Sequence, residues 1–303
     1  MTEKSLLLQR LFSFIVIEFP KIRVIIKITE HTRKEFAFML KVIAVQPSYF
    51  SGDEPDKVVA EFLTNKMYDV EENSLILLPE YSNAGGLSDP ERELKALPRA
   101  KDMLRVAACV AKEKSAYVAI NVLEEREGKI FNSTYLFAKD DKPAFRYDKI
   151  HLPPSEVSLG VSYGDGSCVC DVDGIRFAFM TCYDVYYNEQ IEHIALKKPD
   201  IILIPGYQRG ERVDIIHAQA KLTAFRANAF VVRSSYSMNS DEKGGCSMIV
   251  APDGTIIEDI GKEVGSVSAV IDPKQKYMRT SGFGGATVRN DDFINMGLRP
   301  EVF

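Results

Sequence analysis

The sequence predicts an α/β fold in four layers, an αββα sandwich of two face-to-face β-sheets with helices outside. Three observations lead there. Apolar runs of strand length alternate with helical patterns along most of the chain, as in layered α/β domains. About a dozen such runs accompany about five helical stretches, more strands than one sheet comfortably holds. Several runs are joined by tight turns, which the runner-up, a single doubly wound sheet, places poorly.

The elements follow in order. Leu40 to Gln46 is a first strand, and a helix from about Glu54 to Met67 opens near Asp53 as N-cap, with Val58, Val59, Phe62 and Leu63 on one face. Leu75 to Pro79 returns as a strand, and the helical stretch Arg99 to Lys114 leads into Ala116 to Leu123. Glu127-Gly128-Lys129 turns the chain into Ile130 to Ala138, and Asp140-Asp141-Lys142-Pro143 turns it again into Ala144 to Tyr147. A loop runs to Gly166, and Cys168 to Val172 is joined to the next strand by an Asp173-Gly174 hairpin signal. The second half repeats the pattern, with Ile201 to Pro205, a helix from Val213 to Ala229, then Phe230 to Ser235 and Gly245 to Val250 completing a second sheet. Pro252-Asp253-Gly254 marks one more hairpin before Thr255 to Ile260 and Ser266 to Ile271, and the tail from Asp272 shows little periodicity.

The 303 residues are 46% hydrophobic, enough for one substantial core, and no Gly-, Pro- or Ser-rich linker divides residues 39–303, so one domain is expected there. Residues 1–38 differ, because seven Lys or Arg against four Glu give this segment +3 and leave the rest near −8. Its longest apolar run, Leu11 to Ile17, is far below the ~18 residues of a membrane span and is bracketed by Arg10, Glu18 and Lys21. The segment is expected either to pack on the domain as an added strand or helix, or to be dispensable, with a chain starting at Met39 folding and keeping activity. A net charge of −5 with mixed signs and no basic stripe argues against a nucleic-acid partner. A small-molecule partner is the better expectation. Five cysteines at 109, 168, 170, 182 and 246 have no disulfide-framework spacing, which fits a reducing compartment, the cytoplasm.

Chemistry concentrates at three strand ends. Cys182 stands where the apolar strand Ile175 to Met180 runs into Thr181-Cys182-Tyr183-Asp184; Glu80 ends Leu75-Ile76-Leu77-Leu78-Pro79-Glu80, and Lys149 closes Phe145-Arg146-Tyr147-Asp148-Lys149. Polar residues at the carboxyl ends of strands converge on a ligand crevice in α/β sheets. Such ends supply a base, an electrophile stabiliser and a thiol. A thiol with a pKa near ~8.5 is mostly protonated at neutral pH and needs a base or a cation to act as nucleophile.

Leu78-Pro79-Glu80, Tyr147-Asp148-Lys149-Ile150-His151-Leu152, Glu156 and Cys182-Tyr183-Asp184, in that order, resemble the carbon–nitrogen hydrolase (nitrilase) superfamily, over about Met39 to Ile271. Gln46, Asn132, Pro205 and the run Gly245-Cys246-Ser247 to Gly254 add to the likeness. The resemblance implies an αββα sandwich, no cofactor, a homodimer or larger homo-oligomer, and a Glu80–Lys149–Cys182 triad with Glu156 as a second glutamate. It further implies that Cys182 attacks an amide carbonyl, with Lys149 and the Tyr183 N–H on the oxyanion, and Tyr207 belongs with Tyr183 among the oxyanion and substrate-binding residues. Asp148 stands where the family commonly has Arg, and Tyr186-Tyr187-Asn188-Glu189 replaces the frequent Phe-Pro-Glu. Tyr183-Asp184 after the cysteine fits amidase and carbamoylase branches better than nitrilases, so the expected substrate is a small amide or N-carbamoyl compound.

Alternatives stay open at this stage. The same thioester could pass its acyl group to an amine, or the chain could be a silent member that binds a ligand. His151 could pair with Cys182 as in papain-like hydrolases, and Arg209 or Arg212 could meet a substrate carboxylate, although a surface ion pair is the commoner role. Cys168 and Cys170 are too close for a usual zinc pair, and four scattered histidines offer no second pair, so no metal is expected. Cys109 in its helix and Cys246 in a late strand read as packing residues.

Overall fold

Side-chain alternation decides how each strand is covered, and the order of elements sets what covers it. The structure, a computed structural model, describes residues 14–19, 22–27, 39–49, 52–87 and 89–299. Near the amino terminus β1 (Phe14–Phe19) and β2 (Ile22–Lys27) pair as an antiparallel hairpin. The remainder of the segment before Met39, including the start of the apolar run at Leu11, lies outside the described residues.

From Leu40 the chain forms a separate unit. It runs β3 (Leu40–Gln46), α1 (Pro55–Met67), β4 (Ser74–Leu77), α2 (Pro90–Lys95), α3 (Leu97–Lys114), β5 (Tyr117–Arg126), β6 (Lys129–Ala138), β7 (Pro143–Asp148) and α4 (Pro154–Leu159). Then come β8 (Val169–Val172), β9 (Ile175–Phe179), a 3-10 turn over Cys182–Tyr186, α5 (Asn188–Leu196), β10 (Ile201–Pro205), α6 (Val213–Ala227) and β11 (Phe230–Ser234). The chain closes with β12 (Met248–Val250), β13 (Ile256–Asp259), β14 (Gly265–Ile271), β15 (Met278–Thr280), β16 (Thr287–Arg289) and α7 (Asn290–Asn295).

Two six-stranded sheets result, ordered β14-β3-β4-β5-β6-β7 and β13-β12-β11-β10-β9-β8. Successive residues of β3 face opposite ways. Val42 and Ala44 join Leu75, Leu77 and Ala119 against the second sheet, whereas Ile43, Val45, Ile76 and Val118 pack on α1 and α3 through Val59, Leu63, Met103 and Ala107. Helices α5 and α6 cover the outer face of the second sheet with Ile191, Ile194, Ile216, Ala220 and Ala224. The four-layer expectation is met. No helix among the described residues is long and apolar enough to cross a membrane.

Gln46, fully buried at the end of β3, ties the two sheets together. Its amide nitrogen donates to the carbonyls of Gly261 (2.7 Å) and Glu263 (2.9 Å), and its oxygen accepts from the N–H and hydroxyl of Ser247 (both 2.8 Å). A buried amide so fully satisfied specifies one register of the sandwich.

Several expectations need correction. Glu54, not Asp53, is the N-cap of α1, and it makes no side-chain cap bond; the Asp53 carbonyl instead accepts from Arg92 (2.6 Å). Val58 is exposed, because the buried face of α1 is Pro55, Val59, Ala60, Leu63 and Met67. Helix α2, the helix α4 inside the predicted loop, and α5 go beyond the sequence reading. The tail from Asp272 holds a hairpin and α7 despite its weak periodicity. Cys109 is exposed on α3, its thiol 3.2 Å from Glu113, so it is not a packing residue; Cys168 is buried and Cys170 partly so.

Candidate active site

The site forms where three strands end on the same side of the sandwich. Strands β3, β4 and β5 run parallel, and β7 shares their direction because two antiparallel pairings, β5 with β6 and β6 with β7, restore it. Glu80 therefore follows the carboxyl end of β4, and Lys149 that of β7, at the same end of the sheet. Cys182 follows β9 of the facing sheet and opens the 3-10 turn. Its φ of +46° is a left-handed conformation that costs a non-glycine residue about 1–3 kcal/mol. Such strained strand-to-helix turns lift a nucleophile clear of the sheet.

Asp184 locks that turn. Its carboxylate accepts from the Thr181 N–H (2.7 Å), the Tyr147 hydroxyl (2.6 Å) and the His151 N–H (3.0 Å), and lies 2.9 Å from His151 Nδ1. The His151 ring stacks on Tyr187 with centroids 3.8 Å apart and is not a lining residue of the pocket. These contacts argue against the cysteine–histidine alternative. His151 supports the turn that carries Cys182.

Glu80, Lys149 and Glu156 are each nearly inaccessible to solvent and meet through shared hydrogen bonds. Lys149 Nζ donates to Glu80 Oε1 (2.8 Å) and Glu156 Oε1 (3.0 Å). Asn132 Nδ2 donates to the same two oxygens at 2.7 and 2.8 Å. Asn132 is held in turn by Asn121, whose Nδ2 donates to Asn132 Oδ1 (2.7 Å) and whose Oδ1 accepts from the Tyr81 N–H (2.8 Å). The Tyr81 hydroxyl donates to Glu156 Oε1 (2.6 Å), and the Tyr236 hydroxyl to the Glu80 carbonyl (2.9 Å). Glu156 Oε2 is buried and has no protein partner. Nothing local in the sequence marks Asn121 or Tyr236 as part of the site. Asn132 was noted without a place in the site, although a buried strand Asn next to two carboxylates has few other uses.

Burial alone would lower Lys149, yet Glu80 and Glu156 hold it above the usual lysine range, so it remains an ammonium. Burial raises Glu156 above the usual carboxylate range, with Lys149 opposing and Glu80 adding. Burial and the Glu80 carboxylate push the Cys182 thiol well above its ordinary value, Lys149 opposing. In the free protein Cys182 is therefore a thiol. The Glu80 carboxylate thus favours the protonated sulfur, while Lys149 and the Tyr207 backbone N–H favour the thiolate.

A cavity of about 160 Å³ opens onto Glu80, Lys149, Glu156 and Cys182. That is room for about five waters, so only a small ligand fits without rearrangement. Tyr207 forms one wall, but its hydroxyl accepts from the Gly86 N–H (3.0 Å) and donates to the Leu87 carbonyl (3.1 Å), so the phenol is not free for a ligand. The ring of Tyr183 packs on Tyr186 and Tyr187 (centroids 5.5 and 5.3 Å) and is absent from the lining. Its N–H, in the first turn of a helix, has no acceptor within that helix. Unexpectedly, α2 also reaches the pocket, through Pro90 and Glu93. Arg212 pairs with Asp214 on the surface (2.6 Å), as its commoner role predicts, whereas Arg209 lies over Tyr207.

One group outside the pocket could hold a metal. His217, Cys246 and Asp259 place their donor atoms within 4.8 Å of one another, although His217 and Asp259 are already 2.7 Å apart as a hydrogen-bonded pair. Their separation in sequence hid this trio, and none of the three lines the pocket.

A family model for carbon–nitrogen hydrolase matches residues 59–276. Among curated proteins, the omega-amidase NIT3 of Saccharomyces cerevisiae is 24% identical over 258 residues, covering 78% of this chain and 88% of that protein. The 2-oxoglutaramate amidase of Bacillus subtilis is 25% identical over 158 residues, or 51% of this chain and 61% of that one. The crystal structure of Saccharomyces cerevisiae Nit3, a nitrilase-superfamily member, superposes with a TM-score of 0.64 at 20% identity, covering 88% of this chain and 97% of that one. An amidase of the same superfamily from Nesterenkonia AN1 gives 0.64 at 13% identity, covering 78% and 90%. The structural likeness carries the fold, and the family model spans well over half of the sequence. The chain belongs to the carbon–nitrogen hydrolase family.

Proposed function

We propose that this protein is an amidase that hydrolyses a small amide through an acyl thioester on Cys182. The observation that carries the reading is the convergence of Glu80, Lys149 and Cys182 on the lining of one small pocket, with the Lys149 ammonium donating to a Glu80 oxygen at 2.8 Å. Similar proteins bearing the names omega-amidase and 2-oxoglutaramate amidase support amide over nitrile chemistry. A Nesterenkonia amidase variant with the acetamide moiety of fluoroacetamide added covalently at its active-site cysteine supports the cysteine's role here.

The steps follow from the geometry. Glu80 takes the thiol proton as Sγ attacks the amide carbon, so a high resting thiol pKa is no obstacle: proton loss and attack are coupled. The developing oxyanion is stabilised by Lys149 Nζ and the Tyr183 N–H. Glu156 anchors Lys149, and its unpartnered Oε2 accepts an N–H of the substrate amide. Glu80 returns the proton to the leaving nitrogen, the C–N bond breaks, and ammonia or an amine departs. Water enters and attacks the thioester as Glu80 removes its proton, and Glu80 hands that proton to Sγ as the C–S bond breaks, leaving carboxylic acid and free thiol. An N-carbamoyl substrate would follow the same path.

Screening small aliphatic amides, ω-amides and N-carbamoyl amines for ammonia release tests this reading. At least one class is expected to turn over with a 1:1 yield of acid and nitrogen product. Release of an N-acyl amine in place of the acid would move the protein to acyl transfer, and no turnover by any class would contradict the proposal.

A further inference from the structure

We infer that the pocket selects small amides that carry an ammonium group at the end remote from the amide, and that Glu93 is the residue that selects them. The inference rests on the amidase reading for where the amide sits, and on the charges around the pocket for the rest. The lining contains three carboxylates, Glu80, Glu93 and Glu156, against one cation, Lys149. That cation is already shared between Glu80 and Glu156 at 2.8 and 3.0 Å. Glu93 is the charged group left over, and it has no ion-pair partner among the described residues.

The nearest rival cation does not change this. Arg209 lies over the rings of Tyr207 and Tyr49 (4.6 and 5.2 Å to the centroids) and donates to the Tyr49 hydroxyl (2.7 Å). It is outside ion-pair distance of Glu93 and does not line the cavity. Within the lining a carboxylate on the substrate would therefore meet Glu93, with Arg209 behind the wall and not in contact, and an ammonium would meet its counter-charge.

Glu93 is also held in place, as a selecting group must be. Asp89 caps α2 by accepting from the Glu91 and Arg92 N–H groups (2.8 and 3.3 Å). Asn83 Nδ2 bonds the Ala96 carbonyl at the other end of the helix (3.1 Å) and the Leu123 carbonyl of β5 (2.8 Å). The helix is thus pinned to the sheet that carries Glu80.

The charge of Glu93 changes near neutrality. Burial lifts its carboxyl to about 7; Arg209 opposes, while Glu156, Glu80 and Asp89 add. The preference for an ammonium-bearing amide over a neutral one should therefore grow as pH rises through about 7. Both substrates use the same triad, so their ratio removes its effect on the amide chemistry, and Glu93→Gln then separates the share of Glu93 from that of Glu156.

The test uses three matched amides of equal length: γ-aminobutyramide, valeramide and glutaramate. For the wild type kcat/KM should fall in that order, and Glu93→Gln should cut the cation-over-neutral ratio about tenfold and remove its rise with pH. Glu93→Lys should invert the order in favour of glutaramate. Equal ratios in wild type and Glu93→Gln, or a wild-type preference for glutaramate, overturn the inference. Calorimetric binding of the three amides to Cys182→Ala protein and to its Glu93→Gln double variant keeps the two claims apart. Absence of turnover with ammonium-selective, Glu93-dependent binding sinks the amidase reading alone, and turnover without that selectivity sinks the inference alone.

Discussion

Cys182→Ala is expected to lower amide hydrolysis by about 10⁴-fold or more while leaving the fold and thermal midpoint nearly unchanged. The sulfur makes the bond to carbon in the proposed reaction, and no neighbour can replace it. His151 is committed to Asp184 and Tyr187, and the other four cysteines are not among the pocket's lining residues. The main chain at 182 keeps its left-handed turn in the variant because Asp184 and Thr181 hold it from outside the side chain. Steady-state kinetics with circular dichroism would check both halves. Undiminished activity in a folded variant would remove the nucleophile from the account.

Lys149→Ala is expected to damage both catalysis and stability. The ammonium lies between two buried carboxylate oxygens and is the cation nearest the oxyanion, so kcat should fall about 10²–10³-fold. Removing one member of a buried ion network leaves the others uncompensated, at about 3–5 kcal/mol. Glu156 sets how that loss varies with pH. Its carboxyl is already raised by burial, so its charged form is disfavoured in the folded state and the penalty is felt above the unfolded carboxylate pKa. Loss of Lys149 removes the opposing influence and raises Glu156 further, so the stability deficit should be larger at about pH 8 than at about pH 5, because protonation on the acid side relieves the penalty. Urea unfolding at the two pH values measures this. His151→Ala, which touches only the support of the turn, should be the milder of the two in kcat; the reverse order would favour a cysteine–histidine dyad.

Much of this was legible because strand ends carry their own signal. An apolar run stopping at Glu80, at Lys149 or at Thr181-Cys182 predicts both the strand and the side on which its polar residue emerges, and the sheet directions bring all three together. The hairpin turns were equally local: Glu127-Gly128 and Asp173-Gly174 take the positive φ values that two-residue turns need. What stayed hidden depends on distant partners. β14 pairs with β3 in the first sheet rather than continuing the second, and no window around Ser266 encodes that choice. Val58 and Val59 are identical in type, and only the packing of α1 on β3 and β4 decides which is buried. Helix α2 was readable in principle, since Asp89-Pro90 is an N-cap followed by proline at N1. Its six residues were too few to show periodicity, and so Glu93 went unnoticed.

The most direct test of the central claim is intact-mass spectrometry of the protein quenched during turnover, followed by peptide mapping. The account predicts an added mass equal to the substrate's acyl group, located on the peptide containing Cys182, labile to hydroxylamine, and absent from Cys182→Ala. Turnover without any such adduct under rapid quench, or an adduct on another residue, would contradict it.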